Sequence, residues 1–240
     1  PVTNPFQDNT QVAYGFLFAE SEHTAAGIAQ NIGIRYVIVD RKMVDTKFQP
    51  TIPLYNKSLT EHYYFENYLV PDRNDTSKLL PATLISQPYY RTMLSRLYNS
   101  DGSLSDPAQV LYIEYSPSTA KQAAPVISAL EFMDIDKAHQ QVLLFNAAQI
   151  EGRGAALHGI ELSSPVEKVS ALRHFRLVYE GSGQDGEEDA EFSNTVKVFE
   201  YVDGAQLKGD GIIEVTVETN AGRVFIYRQE SENGTFILPY

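Results

Sequence analysis

The 240-residue sequence contains neither cysteine nor tryptophan. Without cysteine the chain can form no disulfide, no thiolate nucleophile and no cysteine-based zinc site. No apolar run approaches the ~20 residues that a membrane-spanning helix needs, and no secretion signal is recognisable. The chain begins at Pro1 rather than at methionine and ends at Tyr240, directly after a strand-like run. We therefore expect both ends to be cuts within a longer protein.

Positive charge is also scarce. Lysine and arginine number 19 against 31 aspartate and glutamate residues, so the formal net charge is −12. A nucleic-acid surface needs clustered Lys and Arg to displace counterions from the phosphates, and we therefore expect no nucleic-acid partner. The hydrophobic fraction of 43% is sufficient for one sizeable core or two smaller ones and indicates a globular protein.

The first segment with a clear pattern is a helix followed by a strand. Ser21 can cap a helix whose apolar residues recur at helical spacing, and Gly33 suits the end of that helix. Residues 34–39 are β-branched or aromatic with one arginine, which predicts a buried strand. Asp40 places a polar side chain at the C-terminal end of that strand.

The segments that follow alternate between helical and strand-like patterns. A short helix is expected from Asp40 to about Phe48, stopped by Pro50. Residues 52–70 are rich in Tyr and Phe and indicate a loop plus a packed helix. The remaining expectations are helices over 88–98, 119–133, 137–149 and 165–172, and strands over 110–115 and 174–179.

Residues 181–191 combine glycine with five acidic residues, a composition typical of linkers. Beyond them an alternation of period two, with turn signals at 220–222 and 233–234, predicts antiparallel hairpins. The predicted fold is α+β: a helix-rich mixed domain with a short sheet, followed by a small antiparallel β-domain. The predicted boundaries are 1–182 for the mixed domain, with 110–165 as a candidate insertion, 183–194 for an acidic linker, and 195–240 for a truncated β-domain.

Several short segments of the sequence, in the order in which they occur along the chain, resemble the region that follows the membrane part of archaeal oligosaccharyltransferase catalytic subunits. The resemblance is good over residues 1–103 and 169–240 and essentially absent over 110–165. The matching phrases are Asn4-Pro5-Phe6-Gln7, 14–22, 33–40, 90–98, 101–103, 171–180, 196–202 and 219–223. One departure is large: the family signature Trp-Trp-Asp-Tyr-Gly lies upstream of the Asn-Pro-Phe-Gln phrase, and this chain contains no tryptophan.

A second family motif is short and helical, and one archaeal variant of it matches Asp40, Met43 and Lys47. Offsets of three and seven residues place the three side chains on one face of a helix. The resemblance implies that this face contacts the Ser or Thr of an acceptor peptide, with Met43 against a small side chain. The alternative is structural: Asp40 as an ordinary helix cap and Met43 as an ordinary core residue.

The resemblance implies that the full enzyme transfers an oligosaccharide from a dolichol-phosphate carrier to Asn in an N-x-S/T sequon. A divalent cation, Mg or Mn, would be held by carboxylates of the membrane half, so we expect no metal, cofactor or catalytic residue in this fragment. The expected partners are the protein's own N-terminal transmembrane domain, the acceptor polypeptide and, through the membrane half, the lipid-linked oligosaccharide. The expected location is the extracytoplasmic face of the membrane, with the isolated fragment inactive.

Other motifs in the sequence give weaker evidence about function. Residues 181–186 match the dinucleotide-binding string G-x-G-x-x-G, but acidic residues follow where a helix should receive a pyrophosphate. The five histidines show no metal-ligand spacing, and no G-x-S-x-G elbow supports a hydrolase. Three sequons, at Asn56, Asn74 and Asn233, are acceptor sites for glycan if the domain faces outward. The second function considered is an extracellular binding or cell-surface structural module without catalytic activity.

Overall fold

A computed structural model describes residues 5–56, 61–75, 77–118, 124–183 and 194–240. The fold is mixed α/β with several sheets, and strands (about 39%) account for more residues than helices (about 29%). The mixed character predicted from the sequence is thus confirmed. The helix-rich description of the first domain is not confirmed, because seven strands begin within residues 1–182.

The helices are α1 (Pro5–Leu17), α2 (Glu22–Ile32), α3 (Arg41–Asp45), α4 (Phe48–Tyr55), α5 (Gln87–Arg91), α6 (Met93–Ser100) and α7 (Ile135–Ala147), with a single 3-10 turn at Glu61–Tyr63. The strands are β1 (Tyr36–Asp40), β2 (Phe65–Pro71), β3 (Leu79–Ile85), β4 (Gln109–Ser116), β5 (Val126–Asp134), β6 (Gly154–His158), β7 (Phe175–Gly183), β8 (Asn194–Tyr201), β9 (Ala205–Lys208), β10 (Ile212–Glu218), β11 (Val224–Glu230) and β12 (Thr235–Leu238). None of the helices in the described ranges combines the length and apolarity required to cross a bilayer.

The chain divides into two compact units. Unit 1 is formed from residues 1–60, 91–105 and 169–240, and unit 2 from residues 61–90 and 106–168. The domain boundaries derived from the sequence stay a prediction, and most of the predicted linker, residues 184–193, lies outside the described residues.

Unit 1 contains a three-stranded antiparallel sheet in the order β1-β8-β7. Helix α2 leads into β1 through Gly33, whose left-handed backbone (φ 70°) ends the helix as the sequence predicted. The inward face of the sheet includes Val39 and Phe199, both fully buried. Because the side chains of a strand alternate between faces, Tyr36 and Ile38 of β1 stand on the opposite, exposed face.

The C-terminal strands of unit 1 form the antiparallel pairs β10-β11 and β9-β12. The alternation over 212–219 and the turn at 220–222 predicted the first pair, and the register from Ile212–Glu230 to Glu218–Val224 confirms it. A core cluster packs beneath these strands, and its central side chain, Tyr227, is fully buried and donates a hydrogen bond to the Leu172 carbonyl at 2.7 Å.

A charged cluster connects the C-terminal end of α6 to β7, to β8 and to the turn that precedes β11. The Asp101 carboxylate, at the end of α6, accepts hydrogen bonds from Lys197 Nζ at 2.7 Å and from Arg223 Nη1 at 2.9 Å. Arg223 also donates from Nε to Glu180 at 2.8 Å. The side chains of Asp101, Lys197 and Glu180 are only 11%, 10% and 9% exposed. A buried network of this kind is stable only while each charge keeps its partner.

Unit 2 contains a five-stranded sheet in the order β3-β2-β5-β4-β6. Its core includes Tyr68, Leu111, Ile113 and Ile127, which come from β2, β4 and β5. The helix predicted over 137–149 and the strand predicted over 110–115 correspond to α7 and β4.

Three helical predictions are wrong. Residues 65–71 and 126–134 are the strands β2 and β5, because pairing with neighbouring strands overrides the helical preference of their Leu, Glu and Met residues. Residues 165–172 form no helix. There the Gln87 side-chain oxygen accepts from the Val166 and Glu167 amides, both at 2.9 Å, and holds this stretch in an irregular conformation.

Candidate functional site

The residues singled out by the sequence lie where β1 ends and α3 begins. Asp40 is the last residue of β1 and also the N-cap of α3, with an extended backbone (φ −129°, ψ 167°). Its side chain accepts a hydrogen bond from the Met43 amide at 2.8 Å. This bond satisfies one of the amides that the first turn of a helix leaves unpaired, and it fixes Met43 relative to the strand.

Lys47 does not continue the same helix. Helix α3 ends at Asp45, and the Thr46 and Lys47 amides both donate to the Lys42 carbonyl, at 3.1 and 2.8 Å. A new helix, α4, begins at Phe48. The single helix predicted to end before Pro50 is therefore replaced by two short ones. Pro50 lies in the first turn of α4, where a missing amide hydrogen costs nothing.

The segment from Asp40 to Phe48 has both buried and accessible residues. Val44 and Phe48 are 2% and 1% exposed, so they hold α3 and α4 against the core of unit 1. Asp40 and Met43 are half-buried, and Lys47 is exposed. The structure thus brings a capped carboxylate, an accessible thioether and a solvated cation onto one short stretch of surface. That the three contact an acceptor side chain stays a prediction.

Metal ligands are not clustered in the described residues. Nowhere in those ranges do three or more His, Asp or Glu side chains approach closely enough to hold an ion. A structural zinc site uses four protein ligands and a catalytic zinc site three. The side chains that the candidate site presents are a carboxylate, a thioether and an ammonium group, those of Asp40, Met43 and Lys47.

Unit 2 contains a buried polar cluster that could be mistaken for a hydrolase site. The Tyr68 hydroxyl donates to Glu66 at 2.7 Å and lies 3.3 Å from His158 Nε2, and Ser86 donates to the same carboxylate at 3.1 Å. His158 is 1% exposed and Ser86 8%. A nucleophile hydrogen-bonded to a carboxylate, with the imidazole sealed from solvent, cannot meet a substrate, so the cluster is structural.

This buried histidine makes the stability of unit 2 dependent on pH. Burial lowers the pKa of His158 below its ordinary 6.5, and the Glu66 carboxylate offsets this only in part. The unfolded chain binds the proton below pH 6.5 while the folded unit resists it, so the free energy of unfolding falls as the pH drops through 6.5. We expect a loss of roughly 1.4 kcal/mol for each unit by which the pKa is lowered.

Denaturant titrations of the chain between pH 5 and 8 measure this effect. His158→Gln should flatten the dependence, whereas His139→Gln, on the exposed side of α7 in the same unit, should leave it unchanged. An equal pH dependence in wild type and His158→Gln would contradict the assignment to this imidazole.

The three sequon asparagines are exposed. Asn233 occupies a turn with a left-handed backbone (φ 51°), and Asn56 follows the last residue of α4. The second and third residues of the Asn56 sequon, and Thr76 of the Asn74 sequon, lie outside the described residues. Their glycosylation stays a prediction.

Comparison with known proteins gives whole-chain matches. The dolichyl-monophosphooligosaccharide–protein glycotransferase AglB of Haloferax volcanii is 26% identical over 294 aligned residues, which cover 100% of this chain and 27% of the relative. The dolichyl-phosphooligosaccharide-protein glycotransferase 3 of Archaeoglobus fulgidus is 26% identical over 272 residues, which cover 100% and 30%. The chain therefore spans less than a third of either relative.

Solved structures are similar as well. The Archaeoglobus fulgidus oligosaccharyltransferase AglB, in complex with an inhibitory peptide and a dolichol-phosphate, matches with a TM-score of 0.49 and 21% identity, covering 100% of this chain and 30% of that one. The same TM-score and identity describe the Archaeoglobus fulgidus oligosaccharyltransferase tethered to an acceptor peptide with the NVT sequon, with 100% and 31% covered. No protein-family model matches the chain.

Proposed function

We propose that this chain, which is homologous over its whole length to archaeal oligosaccharyltransferases, recognises the acceptor sequon within a membrane oligosaccharyltransferase and scaffolds that enzyme. The observation that carries the proposal is the alignment of all 240 residues with two glycotransferases. The whole-chain homology disfavours the alternative of a binding or cell-surface structural module without catalytic activity.

The activity of the full enzyme would be transfer of a dolichol-phosphate-linked glycan to the side-chain amide of Asn in N-x-S/T. A divalent cation, Mg or Mn, would supply charge neutralisation at the donor phosphate when bound. Within the described residues no three His, Asp or Glu side chains meet to form a dedicated ion site. One Archaeoglobus fulgidus relative was solved with Zn and sulfate. We assign the ion to the portion of the protein beyond this chain, and assign no catalytic residue within it.

The contribution of this chain would be made by the turn between β1 and α4. The Asp40 carboxylate fixes the first turn of α3 through the Met43 amide. Met43 then presents a flexible apolar side chain suited to the methyl group of a sequon threonine. Lys47, on the exposed corner before α4, adds a cation at the rim. In this proposal Asp40 is a positioning residue, and Met43 is the residue expected to contact the sequon threonine.

We infer the partners of this chain from the greater length of its relatives. This chain covers 27% and 30% of them, so the remainder would include the membrane domain that binds the lipid-linked donor. The acceptor polypeptide would reach the site on the extracytoplasmic face, where this chain would lie.

Reconstitution tests the proposal. The full-length enzyme, a lipid-linked oligosaccharide and a fluorescent peptide containing Asn-Val-Thr should yield glycopeptide, and the 240-residue chain alone should yield none. A peptide with Gln in place of the sequon Asn is the matched control. Transfer by the isolated chain, or no transfer by the full-length enzyme in the presence of Mg or Mn, would contradict the assignment.

A further inference from the structure

The buried charged cluster around Asp101 extends to the strand that ends at the candidate site. In the three-stranded sheet of unit 1, Lys197 of β8 lies opposite Val39 of β1 on one side and opposite Glu180 of β7 on the other. All three side chains are buried, so they form one row across the inward face of the sheet. The β1 end of this row is the residue directly before Asp40.

Lys197 connects β8 to the C-terminal end of α6. Its ammonium group donates to the Asp101 carboxylate at 2.7 Å and to the Tyr98 carbonyl at 2.6 Å. The same group lies 4.9 Å from the centre of the Tyr98 ring. Hydrogen bonds from a charged donor are about twice as strong as those between neutral groups, so this residue fixes the position of β8 relative to the helix.

The end of α6 also lies close to the candidate site. Helix α3 packs against both α6 and β8. Burial raises the pKa of the Tyr98 hydroxyl, Arg41 and a hydrogen bond with the Thr195 side chain lower it, and Asp40 raises it. Opposing effects of this kind act over a few ångströms, which places the Tyr98 hydroxyl beside the junction of β1 and α3.

The main chain connects Lys197 to the candidate site. Val39 and Asp40, the last two residues of β1, pair with Lys197 and Val196 of β8. Asp40 in turn accepts the Met43 amide at 2.8 Å and so caps α3. A shift of β8 at Lys197 would therefore move the cap and change where the Met43 side chain lies.

Arg223 occupies the other end of the cluster. It donates to Glu180 at 2.8 Å and to Asp101 at 2.9 Å, on the side of β7, which β8 separates from β1. Removing either Lys197 or Arg223 leaves the two carboxylates with a single cation. The two residues thus make comparable contributions to the charge of the cluster, but only Lys197 belongs to the strand that pairs with β1.

We propose that Lys197 is a positioning residue for acceptor recognition. By binding the end of α6 it fixes the end of β1, and through the Asp40 cap it fixes the orientation of Met43. This inference rests on the proposed function, in which Met43 contacts the sequon threonine. The contacts that carry it are buried within this chain.

Transfer by the full-length enzyme to two peptides, one with Asn-Val-Thr and one with Asn-Val-Ser, tests the proposal. The peptides differ by one methyl group, and burying it against Met43 corresponds to a KM about fourfold lower for the threonine peptide. We expect Lys197→Met to abolish this preference by raising KM for the threonine peptide, with kcat little changed. A mere loss of folded enzyme would lower the rate for both peptides and leave the KM ratio as it is.

Arg223→Met is the matched control, because it removes the other cation of the same cluster. We expect it to lower the thermal stability of the enzyme, since it leaves Glu180 without its ion-pair partner. The preference for threonine should nevertheless persist. Equal loss of the preference in both variants would show that the cluster acts only through overall stability, and would overturn the proposal.

A second pair of variants changes no charge and serves if Lys197→Met does not fold. Val39→Ala removes the side chain through which the row reaches β1, and Val110→Ala truncates an equally buried valine of unit 2. Both should lower thermal stability, because both leave a cavity. Only Val39→Ala should reduce the preference for threonine.

The outcomes separate this inference from the proposed function. If the wild-type enzyme prefers the threonine peptide and the preference survives both Lys197→Met and Val39→Ala, the positioning role is wrong and the function stands. If the wild-type enzyme transfers glycan to neither peptide, or treats them alike, the proposed function of Met43 is contradicted and the inference falls with it.

Discussion

Replacing Asp101 with asparagine is expected to lower the free energy of unfolding of unit 1 by about 3 kcal/mol, the typical effect of breaking a buried ion pair. The carboxylate pairs with both Lys197 and Arg223, and Lys197 is 10% exposed. Its removal leaves a buried ammonium without a counter-charge. Asparagine keeps the size of the side chain and tolerates the left-handed backbone at this position (φ 52°), so charge is the variable that changes.

Hydrogen exchange at the amides of β8 and β11 measures this loss, because β8 contains Lys197 and β11 begins directly after Arg223. Glu214→Gln is the matched control: its carboxylate pairs with Arg228, but the side chain is 59% exposed. Exposed pairs contribute little, so we expect a change below about 1 kcal/mol. Equal protection in wild type and Asp101→Asn would contradict the energetic role of the network.

Replacing Asp40 with alanine in the full-length enzyme is expected to lower kcat/KM for a sequon peptide at least about tenfold. The N-cap bond to Met43 is lost, which costs about 1 kcal/mol of helix stability, and under the proposed function the displaced Met43 would no longer meet the acceptor. The two effects act on the same turn and therefore combine. Transfer assays over a range of peptide concentrations should show the change mainly in KM.

Two further variants test whether the expected loss of kcat/KM in Asp40→Ala comes from the missing N-cap bond. Asp40→Asn keeps a side-chain oxygen at the cap and should restore most of the activity, which is the behaviour of a positioning residue. Asp45→Ala removes a half-exposed carboxylate whose partner is Arg41 and should change kcat/KM less than about twofold. If Asp45→Ala is as damaging as Asp40→Ala, the cap has no special role.

The sequence predicted the elements whose cause is local. Gly33 ends α2 because a left-handed residue is needed there, and the turn at 220–222 joins two alternating runs into the β10-β11 hairpin. The cap at Asp40 is local in the same sense, since its bond spans three residues. Patterns of this kind are visible in a single chain because donor and acceptor lie within a few residues of each other.

The elements that were missed depend on distant partners. Strand β5 is rich in residues that also suit a helix, and its pairing with β4 decides the outcome. The irregular stretch at 166–167 depends on Gln87, about 80 residues earlier. At the candidate site, the sequence indicated a single helical face. The break after Asp45 became evident only from the hydrogen bonds.

Strand β1 ends at residue 40, and its partner β8 begins at residue 194. During synthesis, about 150 residues must therefore leave the ribosome before this pairing can form. Unit 2 is complete by residue 168, whereas about half of unit 1, residues 169–240, is still to be synthesised. Contacts so far apart in sequence slow folding, because the intervening chain must close first. A nascent chain paused near residue 180 would display β1 without its partner β8.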